Sequence, residues 1–257
     1  MVLLIDAGNT RVKWALIPGR DLDLPHKLGQ WAASGSIERA QVRQLADIWR
    51  DANISRVVLS NVAGPAMREE LEQTMALALG LKPVPLEWFG SVAQLAGVRN
   101  KYRNPAQLGC DRFASAIGAH ALFPDAPLIV ATCGTATTID AVTADGVFVG
   151  GMILPGLGLM ATALAKNTAQ LPQVAEHIAL SEPFADNTDA AIVSGCIAAQ
   201  AGAIERAVAA HARNHSDVQC ILAGGAAHLI APHLSVPYRK VDNLVLIGLQ
   251  IVAGTSC

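Results

Sequence analysis

The chain opens with two apolar runs separated by a short polar turn. Residues 2–6 and 12–17 are apolar enough to predict two buried strands, and Ala7-Gly8-Asn9-Thr10 lies between them. Glycine with short polar neighbours is typical of a tight turn, so the pattern predicts a β-hairpin. A plain hairpin does not need a carboxylate where its first strand ends, and Asp6 therefore indicates a chemical role at this turn.

Strands alternate with helices through the first half of the chain. This order predicts an α/β fold with a partly parallel sheet. The predicted elements are a helix over 36–52 with Ser36 as its N-cap, a strand over 56–62, a helix over 65–81 with Pro65 in its first turn and Gly80 near its end, an irregular stretch over 82–105, and a helix over 111–123.

The second half repeats the opening pattern. Residues 128–142, "LIVATCGTATTIDAV", again run as an apolar strand, a glycine turn with threonines and a second apolar strand. Two such beginnings suggest a duplicated domain with its boundary near residues 115–127. We therefore expect domains over 1–117 and 118–257. The later predicted elements are a helix over 188–213, a strand over 218–225 and an apolar segment over 243–253.

Composition restricts the class of protein. The chain has 257 residues, of which 52% are apolar and 16% charged, with a net charge of -2. These values suit a compact globular protein. They give no basic field for a nucleic-acid partner. The five cysteines are scattered, without a CxxC pair or a histidine cluster, which favours reduced thiols in a cytoplasmic protein over disulfides or a zinc site.

One uncharged stretch is long enough to span a bilayer. Residues 146–165 carry no charge, but Pro155 and several glycines divide the stretch into a strand, a loop and the start of a helix. The beginning of the chain reads as a strand and lacks the basic region of a signal peptide. We therefore expect a soluble cytoplasmic protein with no membrane partner.

The glycine turns have the chemistry of a phosphate site. Glycine lets backbone N–H groups approach a phosphate closely, and short hydroxyl or amide side chains add donors. Asp6 is placed to hold Mg²⁺ through water, and Lys13 to add a positive charge. A third glycine turn in 221–227 would suit a flat ring such as adenine. The alternative interpretation is two ordinary hairpins and a strand-to-helix turn.

Four stretches carry a family resemblance. They are "DAGNTRVKW" (6–14), "KYRNPAQLGCDRFASAIGA" (101–119), "CGTATTIDAV" (133–142) and "GGMILPGLGLM" (150–160). Together they resemble type III pantothenate kinase, a branch of the superfamily of sugar and acetate kinases, actin and the large heat-shock chaperones. The resemblance implies duplicated ribonuclease H-like domains with mixed sheets flanked by helices. It also implies ATP-dependent phosphorylation of pantothenate, the first step of coenzyme A biosynthesis, by a homodimer that uses Mg²⁺ and an activating K⁺ or NH₄⁺.

The resemblance also implies roles for individual residues. Asp111 of the G-x-D-R motif would be the general base, although a carboxylate there also suits the first turn of a helix. Thr188 matches a threonine that touches pantothenate, and it would also suit a helix N-cap. The nucleotide-binding residues would be Asp6, Ala7, Gly8, Asn9, Thr10, Arg11, Val12, Lys13 and Thr135, and the substrate-binding residues Tyr102, Gly109, Cys110, Asp111, Arg112 and Thr188.

The second turn departs from the family pattern. The family often has D-x-G-T there, and its Asp helps to bind the monovalent cation. This chain has "TCGT", so Thr132 stands in place of that carboxylate. A neutral hydroxyl is a weaker ligand for a cation. A monovalent-cation site at Thr132 would therefore depend on backbone carbonyls.

Two other functions remain open from the sequence. Another small-molecule kinase of the same superfamily would share both turns. A non-catalytic transcription accessory factor is the second alternative, and it would not need Asp6, Asp111, Arg112 and Thr135 together. The apolar segment "GGMILPGLGLMATAL" resembles a family segment near the substrate pocket and the subunit contact, which would account for its lack of charge.

Overall fold

A computed structural model describes residues 1–22, 24–80, 83–174 and 183–255. Its strands are β1 (Val2–Ala7), β2 (Arg11–Ile17), β3 (Ala33–Glu38), β4 (Arg56–Asn61), β5 (Leu86–Trp88), β6 (Gln94–Leu95), β7 (Val98–Asn100), β8 (Leu128–Cys133), β9 (Ala136–Val142), β10 (Val147–Pro155), β11 (Gln219–Ala223) and β12 (Tyr238–Lys240).

The described residues form seven α-helices. They are α1 (Leu45–Trp49), α2 (Pro65–Leu79), α3 (Cys110–Leu122), α4 (Leu157–Asn167), α5 (Thr188–His211), α6 (Ala227–Ile230) and α7 (Leu244–Thr255).

Contacts divide the chain into two compact units. The first comprises Met1–Pro124 together with Asn243–Cys257, and the second comprises Asp125–Asp242. These units differ from the expected domains over 1–117 and 118–257, because α3 continues past residue 117 and α7 packs with the first unit. The domain limits therefore stay a prediction, whereas the two compact units are a property of the fold.

The first unit is built on a five-stranded sheet with the order β3-β2-β1-β4-β5. The pairs β1–β2 and β2–β3 are antiparallel, whereas β1–β4 and β4–β5 are parallel. Alternate residues of β1 belong to two apolar clusters: Leu3 and Ile5 to one that includes residues of α1 and α2, and Val2 and Leu4 to one that includes residues of α3 and α7. A strand buried on both faces must be apolar throughout, which is why residues 2–5 lack alternation.

The second unit repeats this topology. Its strands lie in the order β12-β11-β8-β9-β10. The pairs β8–β9 and β9–β10 are antiparallel, and β8–β11 and β11–β12 are parallel. Read from β10 to β12, this is the arrangement of the first sheet from β3 to β5. The predicted fold class, duplicated ribonuclease H-like domains with mixed sheets and flanking helices, is confirmed.

Two predicted elements in the first unit are wrong. The helix expected over 36–52 is β3 up to Glu38, a 3₁₀ segment over Arg39–Gln44 and only then α1. Ser36 is thus a strand residue paired with Lys13, and not an N-cap. The reason is tertiary: Gly35 lies over the Trp14 ring, where an added Cβ would come within 2.9 Å of Nε1, so this edge strand fits there.

The stretch expected to be irregular over 82–105 contains regular structure where it is described. It holds β5, β6 and β7, and β6 and β7 form a small antiparallel hairpin. Strands of two or three residues carry too little periodicity to be recognised in the sequence.

The uncharged stretch over 146–165 forms β10 and α4, with Gly156 between them. Among the described residues, one helix is long and apolar enough to cross a membrane, and that helix is α5. Half of the most apolar 18-residue stretch of α5 is buried inside the structure, as in the core helix of a globular protein.

Candidate active site

Asp6 lies at the carboxyl end of β1. In the antiparallel register it is paired with Lys13, and in the parallel register with Ser60. The turn that follows is closed by the Gly8 N–H, which donates to the Arg11 carbonyl at 3.0 Å. The structure therefore brings the first predicted phosphate hairpin, the candidate metal ligand and the candidate lysine to one end of the sheet.

The electrostatic environment of Asp6 is unusual for a carboxylate. Burial raises its pKa to about 7, the positive charge of Lys13 opposes this rise, and the negative charge of Asp111 adds to it. Two carboxylates that are desolvated and repel one another are stabilised in their ionised form by a cation. Oxygen ligands of this kind fit a divalent ion such as Mg²⁺.

The first hairpin offers backbone groups and a few side chains. Ala7 and Val12 are buried in the apolar core, so their side chains do not face a ligand. Asn9 and Thr10 are exposed at the tip. Arg11 is engaged with β3, since its Nε donates to Ser36 Oγ at 2.8 Å and its Nη2 to the Ser36 carbonyl at 3.3 Å. Lys13 is therefore the better-placed cation of this hairpin for a phosphate.

Asp111 lies in the first turn of α3, and Gly109 is the N-cap residue. Asp111 Oδ1 accepts a hydrogen bond from the Arg112 N–H at 2.7 Å. A Cβ at position 109 would come within 2.7 Å of that same oxygen, so glycine makes room for the carboxylate. Burial raises the pKa of Asp111, and the Arg112 N–H and the Arg112 charge oppose the rise. A raised pKa makes a stronger base while the group is ionised at neutral pH.

Cys110 joins the start of α3 to the end of β4. Its Sγ lies 3.3 Å from Ser60 Oγ and donates to the Asn61 carbonyl at 3.6 Å. Burial raises the pKa of the Cys110 thiol, and the hydrogen bond with Ser60 opposes the rise. The thiol is thus a protonated, hydrogen-bonded group beside the candidate base.

Arg112 and Tyr102 form a pair. Arg112 is 6% exposed, and its Nη1 donates to the Tyr102 hydroxyl at 2.9 Å. The guanidinium carbon also lies 5.7 Å from the centre of the Tyr102 ring. Asn100 holds the tyrosine backbone, since its Oδ1 accepts from the Tyr102 N–H at 3.0 Å. The predicted substrate residues of the first unit are therefore ordered by one another.

The second hairpin connects β8 to β9 in the second unit. The Gly134 N–H donates to the Ala136 carbonyl at 3.1 Å, and Thr135 is exposed at the tip. Gly156 and Gly224 pack directly on this turn. A Cβ at Gly156 would come within 2.1 Å of the Gly134 carbonyl oxygen, and one at Gly224 within 2.2 Å of the Cys133 carbonyl oxygen.

Thr132 occupies the position in β8 that Asp6 occupies in β1. It is paired with Thr138, whereas Asp6 is paired with Lys13. The paired carboxylate and ammonium groups of the first hairpin are thus replaced by two hydroxyl groups in the second. The third glycine turn is a strand-to-helix turn between β11 and α6, and Gly224 has a φ of +93° that favours glycine.

Thr188 is the first residue of α5. The N-cap of this helix is Asn187, whose Oδ1 accepts from the Ala190 N–H at 3.0 Å, so the structure excludes Thr188 as the cap. Thr188 also lines a cavity of about 800 Å³ between α4 and α5, whose other lining residues are mostly apolar.

Two residues at these sites, Ser60 and Asn61, carried no functional prediction, and two glycines were predicted in other contexts: Gly156 in the apolar segment and Gly224 in the third glycine turn. Ser60 and Asn61 contact Cys110, and Gly156 and Gly224 pack on the second hairpin. A signal for the first two was available: a polar pair ends an apolar strand that lies parallel to β1. The two glycines could not be assigned to the hairpin, because they follow Thr135 by many residues in the chain.

The repeated sheet order and the two glycine hairpins define a class of protein. They are the features of the duplicated ribonuclease H-like fold, and solved structures agree. A Sinorhizobium meliloti protein provisionally described as a 2-dehydro-3-deoxygalactonokinase matches with a TM-score of 0.58 and 15% identity, covering 100% of this chain and 99% of that one. At this identity the similarity shows the fold.

Sequence comparison identifies the family within that class. The chain belongs to the type III pantothenate kinase family, whose model matches residues 2–210. Two proteins named type III pantothenate kinase, from Janthinobacterium sp. (strain Marseille) and Herminiimonas arsenicoxydans, are each 65% identical to it over 256 residues. Each match covers 98% of this chain and 97% of the relative. The family expected from the four motifs is confirmed.

Proposed function

We propose that Asp111 is the general base with which this chain phosphorylates pantothenate. The activity follows from the family: the chain is an ATP-dependent pantothenate kinase and acts at the first step of coenzyme A biosynthesis. The observation that carries the role of Asp111 is its position. A desolvated carboxylate at the start of α3 acts electrostatically on Asp6, at the end of β1.

The reaction needs little from the base. The primary hydroxyl oxygen of pantothenate attacks the γ-phosphorus of ATP, the bond from that phosphorus to the β–γ bridging oxygen breaks, and Asp111 accepts the hydroxyl proton. Because the transition state is loose, proton transfer can come late and positioning supplies most of the rate. Burial supports this role by making the carboxylate more basic.

Substrate binding is assigned to the residues around Asp111. Arg112 would donate to the carboxylate or amide of pantothenate, and Tyr102 would orient Arg112 through the 2.9 Å hydrogen bond between them. The backbone from Gly109 to Arg112 would line the pocket. Thr188 would contact pantothenate from the first turn of α5, where it is exposed and is not the cap.

ATP binding is assigned to the two hairpins. The family uses ATP and a divalent metal, and the desolvated carboxylate of Asp6 fits that metal, which Asp6 would hold through water. When bound, Mg²⁺ supplies positive charge to the phosphates. The backbone from Ala7 to Val12, together with Lys13 and Thr135, would bind the phosphate oxygens.

A monovalent cation and a homodimer complete the proposal. K⁺ or NH₄⁺ would bind near Thr132 through its hydroxyl and backbone carbonyls, because no carboxylate occupies that position. Dimerisation is supported by an exposed apolar surface on β10 and α4, and we place the enzyme in the cytoplasm. The exposed apolar residues of this surface are Val149, Met152, Ile153, Leu159 and Leu164.

The test of this proposal is an assay of ADP release with pantothenate, compared with a panel of sugars and acetate. With ATP present, we expect turnover with pantothenate and with none of the other acceptors. Asp111→Asn should lower kcat by roughly 10²-fold or more, the scale of a lost general base, while the dissociation constant of ATP stays within about 2-fold. The same assay with Na⁺ in place of K⁺ measures the dependence on the monovalent cation.

Asp47→Asn is the matched control, because Asp47 is also a first-turn acid, in α1, and forms a surface ion pair with Arg50 at 2.8 Å. It should leave kcat unchanged. ADP release with a sugar and none with pantothenate would overturn the assignment of the substrate. Full turnover by Asp111→Asn would reduce Asp111 to a residue that stabilises the start of α3.

A further inference from the structure

We propose that Ser60 and Cys110 are positioning residues that set the separation of the Asp6 and Asp111 carboxylates. The proposal deepens the assignment of Asp111 as general base and rests on it. Neither residue needs to touch a substrate for this role. Both act through the backbone segments that carry the two carboxylates, β1 with its neighbour β4 on one side and the first turn of α3 on the other.

The strand register connects Ser60 to Asp6. Parallel pairing of β1 with β4 sets Asp6 beside Ser60, and paired residues in neighbouring strands point to the same face of a sheet. Residues two positions earlier in each strand, Leu4 and Val58, belong to the apolar cluster that also contains Ala114 of α3. Asp6 and Ser60 therefore point towards the face of the sheet on which α3 packs.

Hydrogen bonds connect Ser60 to Cys110, the residue before Asp111. Ser60 is 0% exposed, and its Oγ lies 3.3 Å from Sγ of Cys110, which directly precedes Asp111. A thiol has one proton, and Cys110 donates it to the Asn61 carbonyl at 3.6 Å. Ser60 must then be the donor to Sγ. A directed chain from Ser60 through Cys110 to Asn61 thus ties both final residues of β4 to α3.

These hydrogen-bonded side chains, Ser60 and Cys110, have few other roles open to them. Burial raises the pKa of the Cys110 thiol, so at neutral pH it is protonated and a poor nucleophile. Ser60 is fully buried and does not reach solvent. What the pair controls is where α3 begins relative to β1, and a displacement of about 1 Å of a reacting group can cost about 10²-fold in rate.

The experiment compares Ser60→Ala, Cys110→Ala and Cys110→Ser in the pantothenate kinase assay. We expect each alanine variant to lower kcat about 10-fold, with KM for ATP changed less than about 3-fold. The double variant Ser60→Ala/Cys110→Ala should be no slower than either single variant, because both break one chain. Cys110→Ser should retain most of kcat, since a hydroxyl also accepts and donates.

Two controls distinguish positioning from general loss of packing. Ser115→Ala removes another buried hydroxyl from α3, and Cys220→Ala another buried thiol, from β11. Either variant should keep kcat even if its melting temperature falls as far as that of Ser60→Ala. Equal losses of kcat in the controls and in the test variants would overturn the positioning role.

The two proposals fail separately. If the wild type releases ADP with pantothenate and Asp111→Asn is inactive, but Ser60→Ala and Cys110→Ala keep full kcat, then only the positioning role is wrong. If Asp111→Asn keeps full turnover, the general base is wrong, whatever the other variants do. A Cys110→Ser enzyme as slow as Cys110→Ala would likewise contradict the role assigned to the hydrogen bonds.

Discussion

Ionised Asp6 is costly to this fold because burial desolvates its carboxylate. Its pKa is raised to about 7 by burial and by the charge of Asp111, and Lys13 compensates only in part. A group held neutral in the folded state but ionised in the unfolded state destabilises the fold as the pH rises. Such a cost at one position is typical of a residue retained for binding or catalysis.

The stability of Asp6→Asn should therefore depend on pH. Below pH 4 both the folded and the unfolded wild type carry a neutral Asp6, and the variant should gain nothing. Between pH 4 and 7 only the unfolded wild type loses the proton, so its free energy of unfolding falls. At pH 8, without divalent metal, Asp6→Asn should be more stable by about 1–4 kcal/mol.

Urea denaturation of both proteins at pH 4, 6 and 8 measures this difference. Asp47→Asn, at a surface position on α1, should show no comparable dependence. Adding Mg²⁺ at pH 8 should stabilise the wild type and not Asp6→Asn. A constant difference between wild type and Asp6→Asn at all three pH values would contradict a desolvated carboxylate at this site.

At the scale of elements, the position of α3 depends on a close contact with α7. A Cβ at Gly118 would come within 2.7 Å of the Leu244 carbonyl oxygen, and one at Gly248 within 1.9 Å of the Ala114 carbonyl oxygen. The two helix backbones approach so closely that only glycine fits at both positions. This crossing holds the helix whose first turn carries Asp111.

Gly248→Ala should accordingly destabilise the first unit. The added methyl group meets backbone, which cannot rotate away, and overpacking of this kind costs typically about 1–3 kcal/mol. Gly202→Ala is the matched control, since Gly202 is also helical, in α5, and among the described residues no atom beyond its own stretch of helix lies within 4 Å of the added Cβ. That variant should instead gain about 0.5–1 kcal/mol from helix propensity. Chemical denaturation measures both, and equal stabilities would show that the crossing is looser than described.

The elements themselves differ in how far the sequence predicts them. β1, β2, β4, α2 and α3 were expected within a few residues, because long apolar runs and capping residues identify them. The predicted helix over 36–52 failed because its spacing of apolar residues is real only from Val42 onwards, where Val42, Leu45 and Trp49 are buried. Residues 33–38 instead pair with β2 and join the sheet. The spacing of apolar residues along the sequence does not reveal which strand will be the partner.

At the scale of the whole molecule, the chain returns to its first unit at the end. Val245, Leu246 and Leu249 of α7 pack in the apolar cluster formed by one face of the first sheet. Arg56 reinforces this arrangement: it binds Glu87 through two hydrogen bonds of 2.6 and 2.8 Å, and its Nη1 donates to the Ala253 carbonyl at 2.7 Å. The second unit is thus an insertion, in sequence, between α3 and α7.

Deletion of residues 243–257 should therefore unfold the first unit. The deletion exposes the apolar face of β1 and β4 and removes the acceptor of Arg56 at Ala253. We expect the amide hydrogens of β1 and β4 to lose most of their protection against exchange. The pantothenate kinase activity should disappear as well. A synthetic peptide of residues 243–257 added in trans should restore protection. A truncated chain with wild-type protection in β1 would contradict this organisation.

Some features of the candidate site could be predicted from the sequence, and others depend on the folded structure. Asp6, Asp111 and Arg112 could be proposed because their residue types stand out in short motifs. The 2.9 Å contact between Arg112 and Tyr102 and the chain from Ser60 to Cys110 could not, since they join residues up to fifty positions apart. Whether Thr188 caps α5 also depended on coordinates, because Asn187 and Thr188 are both good capping residues.

For this protein, the sequence alone determined the family, the α/β class and the repetition of a strand–turn–strand in two halves. Those properties are encoded locally, in motifs and in the spacing of apolar residues. Tertiary structure determined the path of residues 33–49, the return of α7 to the first unit and the hydrogen bonds from β4 to α3. These features depend on which distant segments become neighbours, and packing and register decide that only when the chain is folded.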